Sequence, residues 1–293
     1  MDWRQLQSSL NKGLSTGMQA TKERLGRVGQ DEITELPQEY KDLEARVDAL
    51  RQAHLTLLKI TKVYESEAYD YPSHIQESLA ELSTSLSLGI AGLSRGKAAP
   101  APAPPPAPQH KTLPHALGRA ATSAAAVLRA GPPAPGTAAG EDGPLATALG
   151  TYALAMEKIA AARVDQDAAI RLNYLHPWQA TLTTTLAVAM KARQAVRTSR
   201  LELDGAKQTL KSAGPAKQEQ ARLEVENAED DLVQKTEVAI ALMEKVLKNP
   251  EPIRHLNELT KAQLIYFAVA AETLSNTQAE LEELALAAAE ADR

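Results

Sequence analysis

Between Pro144 and Gly214 the chain keeps one helical register with a single internal proline, Pro177. At a rise of about 1.5 Å per residue such a helix spans roughly 100 Å. A compact globule of 293 residues has a radius of gyration of only about 19 Å. The sequence therefore predicts an elongated molecule. Pro144 suits a first helical position, and Gly214 with Pro215 in "KSAGPAK" ends the run. Inside it, in "NYLHPWQATL", Pro177 costs about 3 kcal/mol and bends the axis. A long helix with a built-in bend needs a reason.

Two further helices flank this one. In the first, apolar positions fall at Leu36, Tyr40, Leu43, Val47, Leu50, His54, Leu57, Thr61 and Tyr64, in steps of four and three. That is the seam of a coiled-coil-like helix. Pro72 in "YPSHIQESL" stops it, and Ser73 with Gln76 predicts a capped short helix to about Ile90. The third helix starts near Lys217 with a seam at Ala228, Leu232, Thr236, Ala239, Met243 and Val246. Pro250 and Pro252 in "KNPEP" interrupt it, and the pattern resumes through Leu256, Leu264, Phe267, Ala271, Leu274 and Leu281.

The predicted fold class is all-α: an elongated, kinked, antiparallel three-helix coiled-coil bundle. Narrow seams further predict that burial is completed by a second copy. Composition agrees, since one Phe, seven Tyr and two Trp are the only aromatics, and Ala, Leu, Glu, Gln and Lys are helix formers.

Four segments follow: 1–30, an amphipathic helix; 31–96, the first long helix and a short one; 97–143, an insertion; and 144–290, the second and third long helices. The insertion contains "APAPPPAP" and "GPPAPGTAAG", which block helix and sheet alike. It reads as a disordered, partly polyproline linker with an Ala-rich helical turn near 115–130. A passive linker and a docking site for an SH3-type partner both stay open.

Covalent chemistry finds no footing. There is no cysteine, which excludes disulfides, thiolate metal sites and cysteine nucleophiles and fits a reducing compartment. His54, His74, His110, His115, His176 and His255 are scattered without metal-ligand spacing. His54 lies on the seam and reads as a satisfied core histidine. No phosphate loop, dinucleotide fingerprint or nucleophile elbow is present. The expectation is no enzyme, no catalytic residue, no metal and no cofactor. The first turns of "MDWRQLQSSL" lack a signal-peptide core and no apolar run is long enough to span a bilayer, which predicts an intracellular chain not integral to a membrane.

Surfaces carry the remaining signal. The net charge of −5 hides an asymmetry: Lys+Arg against Asp+Glu is 5 to 2 over 1–30 and 11 to 6 over 144–222, but 6 to 15 over 223–293. On a helical wheel Trp3, Leu6, Leu10, Leu14, Met18, Leu25 and Val28 share an arc of about 120°, with Arg4, Lys12 and Lys22 opposite. Gly13, Gly17, Gly26 and Gly29 weaken this helix in water, so it is expected to fold in a membrane interface, with packing on the bundle as the alternative. In "KARQAVRTSRLELDGAKQTLK", Arg193, Arg197, Arg200, Lys207 and Lys211 share an arc of about 80° along about 27 Å of helix, interrupted by Asp204. Lys217 and Arg222 carry the basic character round the tip. A solvated charged face is one reading of this stripe; the other is that seven cations at about 1 kcal/mol each bind anionic headgroups.

These parts in this order resemble the BAR domains of the N-BAR kind found in endophilin-like proteins. "VYESEAYDYP" is similar to the end of the first endophilin helix, "YLHPWQ" to its aromatic-x-x-Pro-x-Gln kink, "SRLELDGAK" to its run before the tip, and "LTKAQLIYFAVAAETL" to its stretch near the C-terminus. "EKIAAARVDQDAAI" and "EDDLVQKTEVAIALMEKVLKNPEP" resemble the fungal Golgi-vesicle branch of the family. The likeness covers about 1–96 and 144–290. The insertion at 97–143 and the absence of a C-terminal SH3 domain depart from endophilin.

The resemblance implies a crescent-shaped six-helix homodimer whose bends lie at Pro177 and Pro250, the counterpart of the family's curvature. It also implies binding to anionic phospholipid membranes, without nucleic acid, peripherally on Golgi, endosomal or vesicle membranes. A soluble coiled-coil adaptor that binds proteins rather than lipid is the alternative expectation.

Overall fold

The computed structural model describes residues 33–71, 110–131 and 142–291, and every regular element among them is helical. In chain order these are α1 (Gln38–Thr61), a 3₁₀ turn (Lys62–Glu65), α2 (Leu113–Ala130), α3 (Pro144–Ile170), a π-helical turn (Arg171–Leu175), α4 (His176–Thr183), α5 (Thr185–Ser212), a 3₁₀ turn (Pro215–Lys217), α6 (Gln218–Leu247) and α7 (Glu251–Ala291). They fall into two units: residues 33–60 with 176–254, and 61–175 with 255–291. The amphipathic segment before residue 33, the short helix expected after Ser73 and both proline-rich runs lie outside the described residues.

In the first unit α1, α5 and α6 share one core. Tyr40, Leu43 and Val47 of α1 meet Leu186, Ala189, Val196 and Leu203 of α5 and Leu232, Ala239, Met243 and Val246 of α6. The seams read from the sequence at three- and four-residue spacing are these buried faces. His54 is buried in the core as expected but only half satisfied: its Nδ1 lies 3.0 Å from the Leu50 carbonyl, while Nε2 has no hydrogen-bond partner among the described residues. Its ring stacks on Trp178 at 4.2 Å, whose Nε1–H donates to the His54 carbonyl at 3.1 Å.

Regular α-helical bonding fails at two places in the long second helix. A π turn occupies 171–175, just before Pro177, whose ring crowds the carbonyl four residues back and which has no N–H to donate. The second interruption, at Thr184, was not read from the sequence. Thr181, Thr184 and Thr185 turn their hydroxyls onto the carbonyls of Pro177, Ala180 and Thr181, at 3.1, 2.6 and 3.2 Å. Such back-bonding loosens and bends a helix. Downstream, α6 ends at Leu247, and Asn249 Oδ1 caps Glu251 N–H at 3.1 Å as α7 opens around Pro250.

The second unit corrects the disordered-linker reading between residues 110 and 131. In place of a helical turn there is an 18-residue helix, α2, docked on α3. Thr112 caps it by accepting the His115 N–H at 3.4 Å. Gly118, Ala121 and Ala125 are buried, and their small size lets the two backbones approach. A Cβ on Gly118 would stand 3.4 Å from the Ala153 carbonyl. Glu67 Oε1 accepts from His110 Nδ1 at 2.6 Å and Lys111 N–H at 3.1 Å, while Arg129 forks onto Asp142 with both bonds at 2.9 Å. Proline content predicted disorder; helix propensity and these clasps prevail locally.

The "VYESEAYDY" turn of this unit is held by Arg163 of α3. Its guanidinium lies 3.7 Å over the Tyr69 ring, pairs with Asp167 at 3.1 Å and also pairs with Asp70. Burial, opposed by the Arg163 hydrogen bond, leaves the Asp167 carboxyl above its ordinary range. Gln263 of α7 donates to the Tyr64 hydroxyl at 3.0 Å.

Candidate membrane-contact surface

The first cations of the basic stripe of α5, Arg193 and Arg197, pair with α1. Arg193 is 2% exposed. Its Nε and Nη2 donate to Glu44 Oε1 at 3.0 and 2.7 Å, and Nη1 and Nη2 donate to Asp48 at 2.7 and 2.9 Å. Burial disfavours the charge, but the hydrogen bonds and fields of Asp48 and Glu44 more than offset it, and the Arg193 pKa lies above its ordinary value. Glu44 and Asp48 are held below the usual carboxylate range. For Glu44 desolvation is the largest single influence, and the hydrogen bonds and fields of Arg193 and Arg197 together outweigh it; for Asp48 the Arg193 hydrogen bond is the largest influence.

Arg193 is therefore withdrawn as a headgroup ligand, because its fork is saturated inside the protein. The wheel showed that the cations share an arc but not which neighbour the arc meets. A usable signal was present: Glu44 and Asp48 stand four apart on α1, matching Arg193 and Arg197 on α5 with opposite sign.

The other predicted cations divide by position. Arg197 is 54% exposed on its side chain and shares Glu44 at 2.7 Å. Arg200 is half-buried. Lys207 reaches Glu229 at 3.3 Å and Thr34 Oγ1 at 3.4 Å. Lys211, Lys217 and Arg222 are exposed, in the last turn of α5, the 3₁₀ turn and the start of α6. Glu219 is the one acid between Lys211 and Arg222. Arg4, Lys12 and Lys22, with the insertion set Trp3, Leu6, Leu10, Leu14 and Met18, lie outside the described residues. Pro177 and Pro250 stand at the helix interruptions already described.

The second unit shows an apolar surface as well. On α7, Ala262, Thr273 and Thr277 are buried, and Tyr266 and Ala270 pack on Ala155, Met156 and Ile159 of α3. The seam read from the sequence faces outward instead: Leu264 is 67% and Phe267 61% exposed, and Leu256 and Leu274 are exposed with them. Four large apolar side chains on one helix flank make the kind of surface that marks an interface. Beside it, Tyr152 with Leu274, Thr277 and Leu281 lines an open groove of about 450 Å³.

Among the described residues no group of three or more His, Cys, Asp or Glu side chains is placed to hold a metal ion, and no helix is long and apolar enough to cross a membrane.

Residues 12–283 match the Bin/amphiphysin/Rvs domain for vesicular trafficking. Protein GVP36 of Saccharomyces cerevisiae is 33% identical over 268 residues, covering 88% of this chain and 80% of that protein. The meiotically up-regulated gene 64 protein of Schizosaccharomyces pombe is 31% identical over 253 residues, covering 82% and 84%. With the family match across nearly the whole length and an all-helical architecture to go with it, the chain belongs to the Bin/amphiphysin/Rvs (BAR) domain family.

Proposed function

We propose that this chain is a non-enzymatic BAR protein that binds anionic membranes as a homodimer and senses or generates curvature in vesicle trafficking. The observation that carries the reading is the gathering of exposed Lys211, Lys217 and Arg222 around the turn between α5 and α6, in a chain of a vesicular-trafficking family. The exposed flank of α7 supports the homodimer, since Leu264, Phe267 and Leu274 lack cover in a single chain. The interruptions before Pro177, at Thr184 and at Pro250 supply the bends of a curved dimer. Residues 1–28 insert as a shallow amphipathic wedge, with Trp3 to Met18 in the acyl boundary. Location is peripheral, on the cytoplasmic face of Golgi, endosomal or vesicle membranes.

Near an anionic surface each tip cation contributes about 1 kcal/mol, so the Lys211→Glu, Lys217→Glu, Arg222→Glu triple variant loses about 3 kcal/mol per protomer, roughly a hundredfold in partitioning. Co-sedimentation with anionic liposomes tests this. The triple variant is expected to remain in the supernatant while keeping wild-type helix content, and wild-type binding is expected to fall with added salt. A triple variant that pellets like wild type removes the tip from the reading. Wild type that ignores anionic liposomes replaces the reading with a protein-binding adaptor of the same fold.

A further inference from the structure

Asp204 interrupts the basic stripe in sequence, and its surroundings show what the carboxylate does. The residue is 1% exposed. Oδ1 accepts the Thr34 N–H at 3.0 Å and the Thr34 hydroxyl at 2.5 Å. Oδ2 has no hydrogen-bond partner among the described residues. A buried carboxylate half satisfied in this way weakens a helix interface, so packing alone gives it no purpose. Thr34 lies where the described chain enters the first unit, two residues before Leu36 settles against the core. Everything before it is the segment whose amphipathic arc ends at Val28.

We propose that Asp204 is a positioning residue for the membrane wedge: it latches residues 33–35 to α5 and so fixes the point from which the N-terminal segment reaches the bilayer. The inference rests on the membrane reading above. From Asp204 to the end of α5 at Ser212 is about 12 Å of helical rise, so the latch holds Thr34 toward the end of α5 that carries the tip cations. With the latch open, the first residue seated against the core is Leu36. Insertion of the wedge then continues, but no longer from a fixed point near the tip.

The test uses the full chain on phosphatidylserine/phosphatidylcholine vesicles and separates insertion from shaping. Trp178 is 4% exposed, so the change in tryptophan emission on adding vesicles reports Trp3. Asp204→Ala and Asp204→Leu, which remove the oxygen that accepts both Thr34 bonds, are expected to keep the Trp3 blue shift and vesicle affinity within about twofold while tubulation, counted by electron microscopy, falls about fivefold or more. Because the chain has no cysteine, a Thr34→Cys, Asp204→Cys pair can replace the hydrogen bonds with a disulfide. Oxidised, that pair is expected to tubulate like wild type; reduced, like Asp204→Ala.

Single variants that tubulate like wild type overturn this proposal alone. A loss that the oxidised pair does not restore, accompanied by a lowered melting temperature, assigns Asp204 to folding and overturns it as well. Wild type that neither shifts Trp3 emission nor pellets with vesicles overturns the membrane reading and this proposal together.

Discussion

Arg193→Gln separates a structural arginine from a lipid-binding one. The substitution removes a guanidinium that is 2% exposed and leaves Glu44 and Asp48, whose side chains are 22% and 56% exposed. Removing one partner of a buried pair costs about 3–5 kcal/mol, whereas an exposed pair is worth about 0.2–1 kcal/mol. Asp48 is wet enough to resolvate, so the Glu44 leg dominates and about 3 kcal/mol is the expected loss. At about 2–4 °C per kcal/mol for a chain of this class, the melting temperature falls by about 6–12 °C.

The assay is thermal circular dichroism beside liposome co-sedimentation well below the melt. Arg193→Gln should melt early and bind normally, and Arg197→Gln should melt within about 2 °C of wild type. Acid supplies a second signature. Glu44 and Asp48 have depressed folded pKa values, so their contribution is fully present above the unfolded carboxylate pKa near 4. It is lost as pH falls through the folded values. Arg193→Gln should flatten that acid limb. An Arg193→Gln protein that melts like wild type but loses liposome binding would refute the reasoning and restore Arg193 to the headgroup set.

Phe267→Glu is expected to dissociate the proposed homodimer: burying one such aromatic is worth about 1.5–3 kcal/mol and a twofold interface counts it twice, so sedimentation equilibrium should show a dissociation constant weaker by about a hundredfold or more. An unchanged constant moves the interface off α7. At the α2–α3 contact, Gly118→Ala should be tolerated at ordinary van der Waals distance. Gly118→Leu overpacks by about 1–3 kcal/mol and should open Arg119 to trypsin; equal digestion of both variants would contradict the docking. Pro177→Ala should keep helix content but straighten the second long helix, altering the small-angle scattering profile of the dimer, and an identical profile would remove Pro177 as a source of curvature.

Periodicity is local information, and for that reason much of the fold was legible. The seam residues Tyr40, Val47, Leu232 and Met243 could be named from three- and four-residue spacing, because a helix places its own positions without help from the rest of the chain. Helix ends were readable at Pro144, Gly214 and Pro250 because proline and glycine act on their own backbone. The Thr184 interruption was not read, since a threonine hydroxyl can face solvent or its own helix equally well. Helix α2 was read only as a helical turn near 115–130, because the prolines on either side of it dominate the composition while small-residue docking depends on another helix.

The candidate site was legible only as chemistry. Sequence alone determined that there are cations on one arc of the second long helix, apolar residues on one flank of the last, and an amphipathic beginning. Tertiary structure decided what the two described arcs, on the second and last long helices, face. Arg193 turned out to be buried against Glu44 and Asp48, Asp204 to hold Thr34, and the Leu264 and Phe267 flank to lie outside the single-chain core. The physical reason is that a helical wheel fixes angles about one axis, whereas burial and charge pairing depend on where the next axis lies, and that is set by contacts up to 199 residues apart in the chain.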